Sequence, residues 1–181
     1  APVTLVLESE EEFEFDVLLV ATGRKPNVKG MGLDIAGVDF HPGRGITVND
    51  NLRTTVENIF AVGDVATKYQ FTHTADFMAR MVVRNALFFG SAKFSELIIP
   101  WCTFTDPELA HVGLYEADLK ERGFSYRVFT QYFADVDRSV VDEKTDGFVR
   151  VYVKEGSDQI LGATIVGDHA GDMISEITLA M

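Results

Sequence analysis

Thr54-Thr55-Val56-Glu57-Asn58-Ile59-Phe60-Ala61-Val62-Gly63-Asp64 is the stretch on which the fold reading turns. Ile59–Val62 is a short apolar run, and its length and composition predict a buried strand that ends on Gly-Asp. In open α/β sheets ligands lie beyond the carboxyl ends of strands. A carboxylate there accepts hydrogen bonds from sugar or polyol hydroxyls, and a glycine lets a ligand approach the backbone. An equally good reading is that Asp64 caps a turn. Eight residues on, Thr72 stands as an N-cap for a helix over 72–89, with Gly90 as its C′ residue. Phe77, Met78, Met81, Val82, Leu87 and Phe88 give that helix a broad apolar face. The free N–H groups and positive dipole end at its start suit an anionic atom. The spacing allows one ligand to touch both Asp64 and Thr72.

Toward the N-terminus, Thr22-Gly23-Arg24-Lys25-Pro26-Asn27 is a turn-rich break. Before it, Asp16-Val17-Leu18-Leu19-Val20-Ala21 is the near-continuous apolar run of a strand buried on both faces, within a predicted strand over 13–21. A first strand is expected over 2–7, with a polar turn at 9–12. Between Val28 and Asn51, six residues that are glycine or proline mark an irregular connection with short strands near Gly45–Val48. Neither Gly30-Met31-Gly32 nor Gly43-Arg44-Gly45 follows a strand or supplies the third glycine of a dinucleotide fingerprint.

Toward the C-terminus the pattern changes near residues 91–100, from β/α alternation to strands in a meander. Strands are expected at 101–105, 124–133, 148–154 and 159–166. The last two should form a hairpin across Glu155-Gly156-Ser157-Asp158. Helices are expected at 115–122 and 169–181, the second running to the end of the chain with no C-cap signal.

Composition narrows the classes of function. The 181 residues are 46% hydrophobic and 24% charged, which is globular. A formal net charge of −12 argues against a nucleic-acid surface, which needs Lys and Arg against phosphate. No apolar run is long enough to span a membrane. Glu8, Glu10, Glu11, Glu12, Glu14 and Asp16 carry half of the net charge; they read as a solvated strand–turn–strand edge or as a docking site for a basic partner. The single cysteine, Cys102, excludes an internal disulfide and a Cys/His zinc cluster; it reads as a buried core thiol. His41, His73, His111 and His169 are scattered and read as structural or surface residues. A start at Ala1 rather than Met points to a processed or truncated product.

Three ordered motifs then carry a family resemblance: Val20-Ala-Thr-Gly-Arg-Lys-Pro-Asn27, the Thr54–Asp64 stretch, and Phe104-Thr-Asp-Pro-Glu-Leu-Ala-His-Val-Gly113. The chain resembles the second half of a pyridine nucleotide–disulfide oxidoreductase, the family of dihydrolipoamide dehydrogenase, glutathione reductase and mercuric reductase. Asp137-Arg-Ser-Val-Val141 and Ile160–Ile174 extend the likeness, with wording nearest the mercuric reductase-like branch.

The resemblance implies α/β plus α+β architecture: part of a FAD/NAD(P)-binding Rossmann-like domain, then an antiparallel-sheet-with-helices dimerisation domain. Residues 1–28 would be the tail of the NAD(P)-binding domain, 29–93 the C-terminal part of the FAD-binding domain, and 94–181 an incomplete dimerisation domain. It implies FAD and NAD(P)H as cofactors, a homodimer, a small-molecule disulfide or metal-ion substrate, and a cytoplasmic, matrix or stromal setting. By resemblance Asp64, with Gly63, would meet the FAD ribityl chain. Thr72 and His73 would lie near the flavin pyrimidine, Gly23 would contact nucleotide, and Arg24 would be structural or peripheral. No catalytic residue and no metal ligand is expected in this chain, since the redox cysteine pair is not in it. The chain alone is then an inactive fragment or, alternatively, a non-catalytic dimerisation module.

Overall fold

The computed structural model describes residues 2–181. The acidic segment folds as expected into a hairpin of β1 (Val3–Val6) and β2 (Glu12–Phe15), with Val3 opposite Phe15 and Val6 opposite Glu12. The apolar run that follows is not a buried strand. Residues 16–21 join no ladder, and Val17, Leu19 and Val20 are 83%, 86% and 70% exposed. A central strand needs neighbours on both edges and cover on both faces; no other strand of the described residues lies beside this one.

The next unit is built around two small apolar clusters. Val28, Val38, Ile46 and Ala61 form one, roofed by the two-residue strands β3 (Phe40–His41) and β4 (Gly45–Ile46). Leu52, Met78 and Met81 form the other and seat helix α1 (Thr72–Leu87). Ile59–Val62 is not a strand either. Its only ladder contact among the described residues is an isolated bridge between Arg53 and Phe60, and the chain turns at once into a 3-10 turn, Gly63–Val65. Helix α1 stops two residues early. Phe89, not Gly90, takes the left-handed conformation (φ 54°). Gly90 is needed instead for close approach, since a Cβ there would lie 2.8 Å from Asn85 Oδ1. Asn85 closes the end by bonding both the N–H and the C=O of Ala92.

Residues 101–181 form the sheet unit. Strands β5 (Trp101–Thr103), β6 (Glu108–Gly113), β7 (Tyr126–Tyr132), β8 (Phe148–Lys154) and β9 (Ile160–Gly167) form an antiparallel sheet in the order β5-β6-β9-β8-β7. Helix α4 (Ala170–Ala180) covers one face through Ala110, Val112, Ala163, Ile165 and Ile174. Helix α2 (Glu116–Glu121) covers part of the other through Leu119, against Tyr152 and Leu161. Helix α3 (Asp137–Val141) follows β7. On the α2 side one row runs straight across the sheet: Trp101, His111, Thr164, Arg150 and Thr130 stand opposite one another in register. Hydrogen bonds join His111 Nδ1 to Thr164 Oγ1 (2.9 Å) and Arg150 Nε to Thr130 Oγ1 (3.1 Å).

Candidate functional site

The 3-10 turn places Asp64 beside the first turn of α1. Gly63 has φ 74°, and a Cβ on it would lie 3.2 Å from the Ala75 Cβ, so the turn rests directly on the helix. Asp64 stays partly exposed, its carboxylate 2.6 Å from Arg24 Nη1. The expected N-cap shifts by one residue. Phe71 is the N-cap, and Thr72 is the first helical residue with no capping bond from its side chain. A phenylalanine cannot accept a hydrogen bond, so the leading N–H groups of α1 keep their donor capacity.

His73 Nε2 lies 2.8 Å from the Pro100 carbonyl. A carbonyl only accepts, so Nε2 carries the hydrogen. The ring also stacks on Phe71, centroid to centroid 5.4 Å. These contacts pin the start of α1 to the connection that leads into β5. Arg24, Gln70, Phe71, Thr72, His73 and Trp101 contribute to a cavity of about 620 Å³ at this junction. Gly23 has φ 123°, and a Cβ placed on it would meet nothing within 4 Å, which leaves open backbone beside Arg24. Gly63 and Asp64 are therefore brought beside the α1 N-terminus with Thr72 and His73, and Arg24, the chain neighbour of Gly23, joins them through Asp64.

Arg24 is the residue that sequence reasoning underrated. No local pattern links it to a partner forty residues away; the available signal was a lone carboxylate at a glycine turn, which calls for a cation. Cys102 is half-buried rather than buried, and it lines the same cavity. Burial raises its pKa first, and the Glu108 carboxylate adds to that rise, so the thiol is held protonated. Glu108 also ties the sheet to α4, since its Oε2 accepts from the Gly171 N–H at 2.9 Å, at the start of that helix. Among the described residues no cluster of His, Cys, Asp or Glu is arranged to hold a metal ion.

Family models match nearly the whole chain. The pyridine nucleotide-disulphide oxidoreductase model covers residues 2–79, and its dimerisation-domain model covers residues 99–181. The chain belongs to the pyridine nucleotide-disulphide oxidoreductase family.

Similar members of this family include a mercuric reductase from Staphylococcus aureus, 36% identical over 172 residues, or 95% of this chain and 31% of that protein. A dihydrolipoyl dehydrogenase from Chlamydia muridarum is also 36% identical, over 93% of this chain and 36% of the relative. Among solved structures, the HOCl-induced flavoprotein disulfide reductase RclA from Escherichia coli superposes with a TM-score of 0.86 at 28% identity, covering 99% of this chain and 41% of that one. LpdA from Mycobacterium tuberculosis shares the fold at a TM-score of 0.89. The chain thus spans about a third of the length of the curated oxidoreductases it matches. The resemblance drawn from three motifs holds at the level of family and fold.

Proposed function

We propose that this chain is the flavin-facing and dimerising part of an FAD-dependent oxidoreductase that takes a hydride from NAD(P)H and passes electrons to a redox disulfide and then to substrate. The observation that carries the reading is that the uncapped N-terminus of α1 opens on a cavity lined by Arg24, whose guanidinium holds the Asp64 carboxylate beside it. That donor and acceptor set fits a flavin: a carboxylate for polyol hydroxyls, and free N–H groups with a helix dipole for an electron-rich ring edge.

In this reading residues 1–28 close an NAD(P)-binding domain, 29–93 complete the FAD-binding domain, and 94–181 form the dimerisation domain of a homodimer. When bound, the flavin supplies the redox chemistry. The residues of this chain hold and orient it. Asp64 accepts from the ribityl chain, with Arg24 holding the direction of the carboxylate. The backbone N–H groups of Thr72 and His73 face the pyrimidine edge, and the His73–Pro100 bond fixes their position. Gly23 and Gly63 let the dinucleotide approach the backbone. The substrate is a small-molecule disulfide or a metal ion. The mercuric reductase-like branch is favoured by the wording around Asp137 and His169. The setting is the cytoplasm or an organelle matrix, by likeness to the family. No helix among the described residues is long and apolar enough to cross a membrane.

The test is flavin retention by the full-length protein that carries this segment. Asp64→Ala should weaken FAD binding by roughly tenfold or more, the loss of a hydrogen-bonded charged acceptor, as read by recovery of flavin fluorescence on dilution. Unchanged affinity would remove Asp64 from the site. Flavin-free purification of the intact protein would overturn the reading.

A further inference from the structure

His111 is a buried ionisable side chain in β6 to which the flavin reading gives no task. Its Nδ1 meets Thr164 Oγ1 at 2.9 Å and its Nε2 meets the Gly113 carbonyl at 3.2 Å, so both ring nitrogens are held and the ring is fixed. Two oxidisable aromatic rings pack against it. Trp101, the one tryptophan of the sequence, stands opposite His111 across β5 and β6, with ring centres 5.8 Å apart and planes tilted by 45°. Tyr115, the residue before α2, lies flat on His111, with centres 3.6 Å apart and planes within 3°.

The ends of this row reach different places. Trp101 contributes to the wall of the cavity at the α1 N-terminus. Tyr115 is 42% exposed. Rings in stacked contact share the orbital overlap through which an electron passes from one aromatic group to the next. The middle ring is suited to be a bridge and not a trap. Imidazole is harder to oxidise than indole or phenol, and burial favours its uncharged form. A cation there would repel an electron hole arriving from either neighbour. In neutral water a phenol that gives up its proton is easier to oxidise than an indole, so the direction runs from Trp101 to Tyr115.

We propose that Trp101, His111 and Tyr115 form a relay that carries one-electron oxidising equivalents from the cavity wall to the protein surface. A small inorganic radical takes one electron from Trp101 and is reduced to its anion, and the indole N–H proton leaves to water. The Trp101 radical then regains one electron, which comes from Tyr115, and one proton from water. Tyr115 gives its phenolic proton to water and is left as a tyrosyl radical. His111 is unchanged at the end. The oxidant is thereby consumed at a residue away from the cavity. This goes beyond the flavin reading and does not depend on what fills the cavity.

The test is pulse radiolysis of the full-length protein that carries this segment, with azide radical as the oxidant. Wild type should show an indole-radical absorbance that decays into a phenoxyl-radical absorbance at a rate independent of protein concentration. Tyr115→Phe keeps a ring on His111 and removes the oxidisable hydroxyl. It should leave the unfolding midpoint in place and lose most of that phase, with a longer-lived indole radical. Trp101→Phe should lose the same phase by removing its source. A packing role alone would leave the transfer untouched in Tyr115→Phe. A phase of unchanged size and rate in either variant, or no transfer in wild type, overturns the relay. The flavin reading stands in each case, because it is judged by flavin retention and not by radical transfer.

Discussion

Arg24 Nη1 stands 2.6 Å from Asp64 Oδ2 across forty residues of sequence. The pair joins the turn after the exposed apolar run to the 3-10 turn beneath α1, and it fixes the direction of the one carboxylate at the α1 N-terminus.

Its contribution to folding should be small. Both side chains are largely in water, at 65% and 42% exposure, and an exposed ion pair adds at most about 1 kcal/mol. Arg24→Ala should shift the urea midpoint by less than that equivalent. A several-fold larger loss would show that the pair holds the turns together rather than orienting the carboxylate.

Gly45 should matter far more. Its φ is 92°, and a Cβ would run into the backbone carbonyl of Val65, the residue after Asp64. Gly45→Ala must push β4 off the 3-10 turn, at a cost on the order of 3 kcal/mol. Gly156→Ala, at φ 74° with open space around it, carries only the backbone strain of about 1 kcal/mol. Thermal unfolding of the two variants should separate them clearly; equal shifts would mean that the β4 contact yields freely.

His111 makes the sheet unit sensitive to acid. The ring is 1% exposed and stacks on Tyr115 at 3.6 Å between centroids. Nε2 donates to the Gly113 carbonyl, so Nδ1 accepts from Thr164. Burial lowers its pKa from the ordinary 6.5, outweighing the opposing pull of the Gly113 carbonyl and of Asp118. The folded state thus binds fewer protons than the unfolded state. The stability that this neutral ring contributes is complete above pH 6.5 and is lost as pH falls from there toward the folded pKa, by up to about 1.4 kcal/mol per unit. Unfolding by urea between pH 5 and 7 should show that slope, and His111→Gln should flatten it.

Cys102 should react slowly. Burial and the Glu108 carboxylate hold the thiol protonated, and only the thiolate is nucleophilic. Iodoacetamide at pH 8 should alkylate the folded chain at least tenfold more slowly than the urea-unfolded chain. Equal rates would place the sulfur in open solvent.

Most of the sheet unit was legible because its signals are local, although the inner strand β6 and the short helix α3 were not expected. Phe148–Lys154 and Ile160–Gly167 alternate and are split by a Gly-containing turn, and they pair as a hairpin. The first ninety residues were less so. The run 16–21 carries the composition of a central strand, but strand identity belongs to neighbours, and these residues have none beside them. Ile59–Val62 looked like a strand for the same reason, yet Gly63 turns it into a 3-10 turn after one bridge. Thr72 has capping chemistry, but the chain enters α1 one residue earlier, where Phe71 is extended (φ −119°, ψ 144°). That Asp64 lies near the start of α1 was readable from its spacing to Thr72. The place of Arg24 was not, because the contact that defines it is made in space and not in sequence.

The transverse row Trp101–His111–Thr164–Arg150–Thr130 bears on how the sheet finds its pairing. Side chains alternate between faces, so a one-residue slip of β8 would turn Arg150 toward α4, among Ala163, Ile165 and Ile174. The same slip in β6 would send His111 there and bring Ala110 and Val112 out. Either error strands a polar or charged group in an apolar layer, at a cost of several kcal/mol. The row thus acts as a proofreader during folding: misaligned sheets are penalised at the middle of nearly every strand, and the aligned one is left without close competitors.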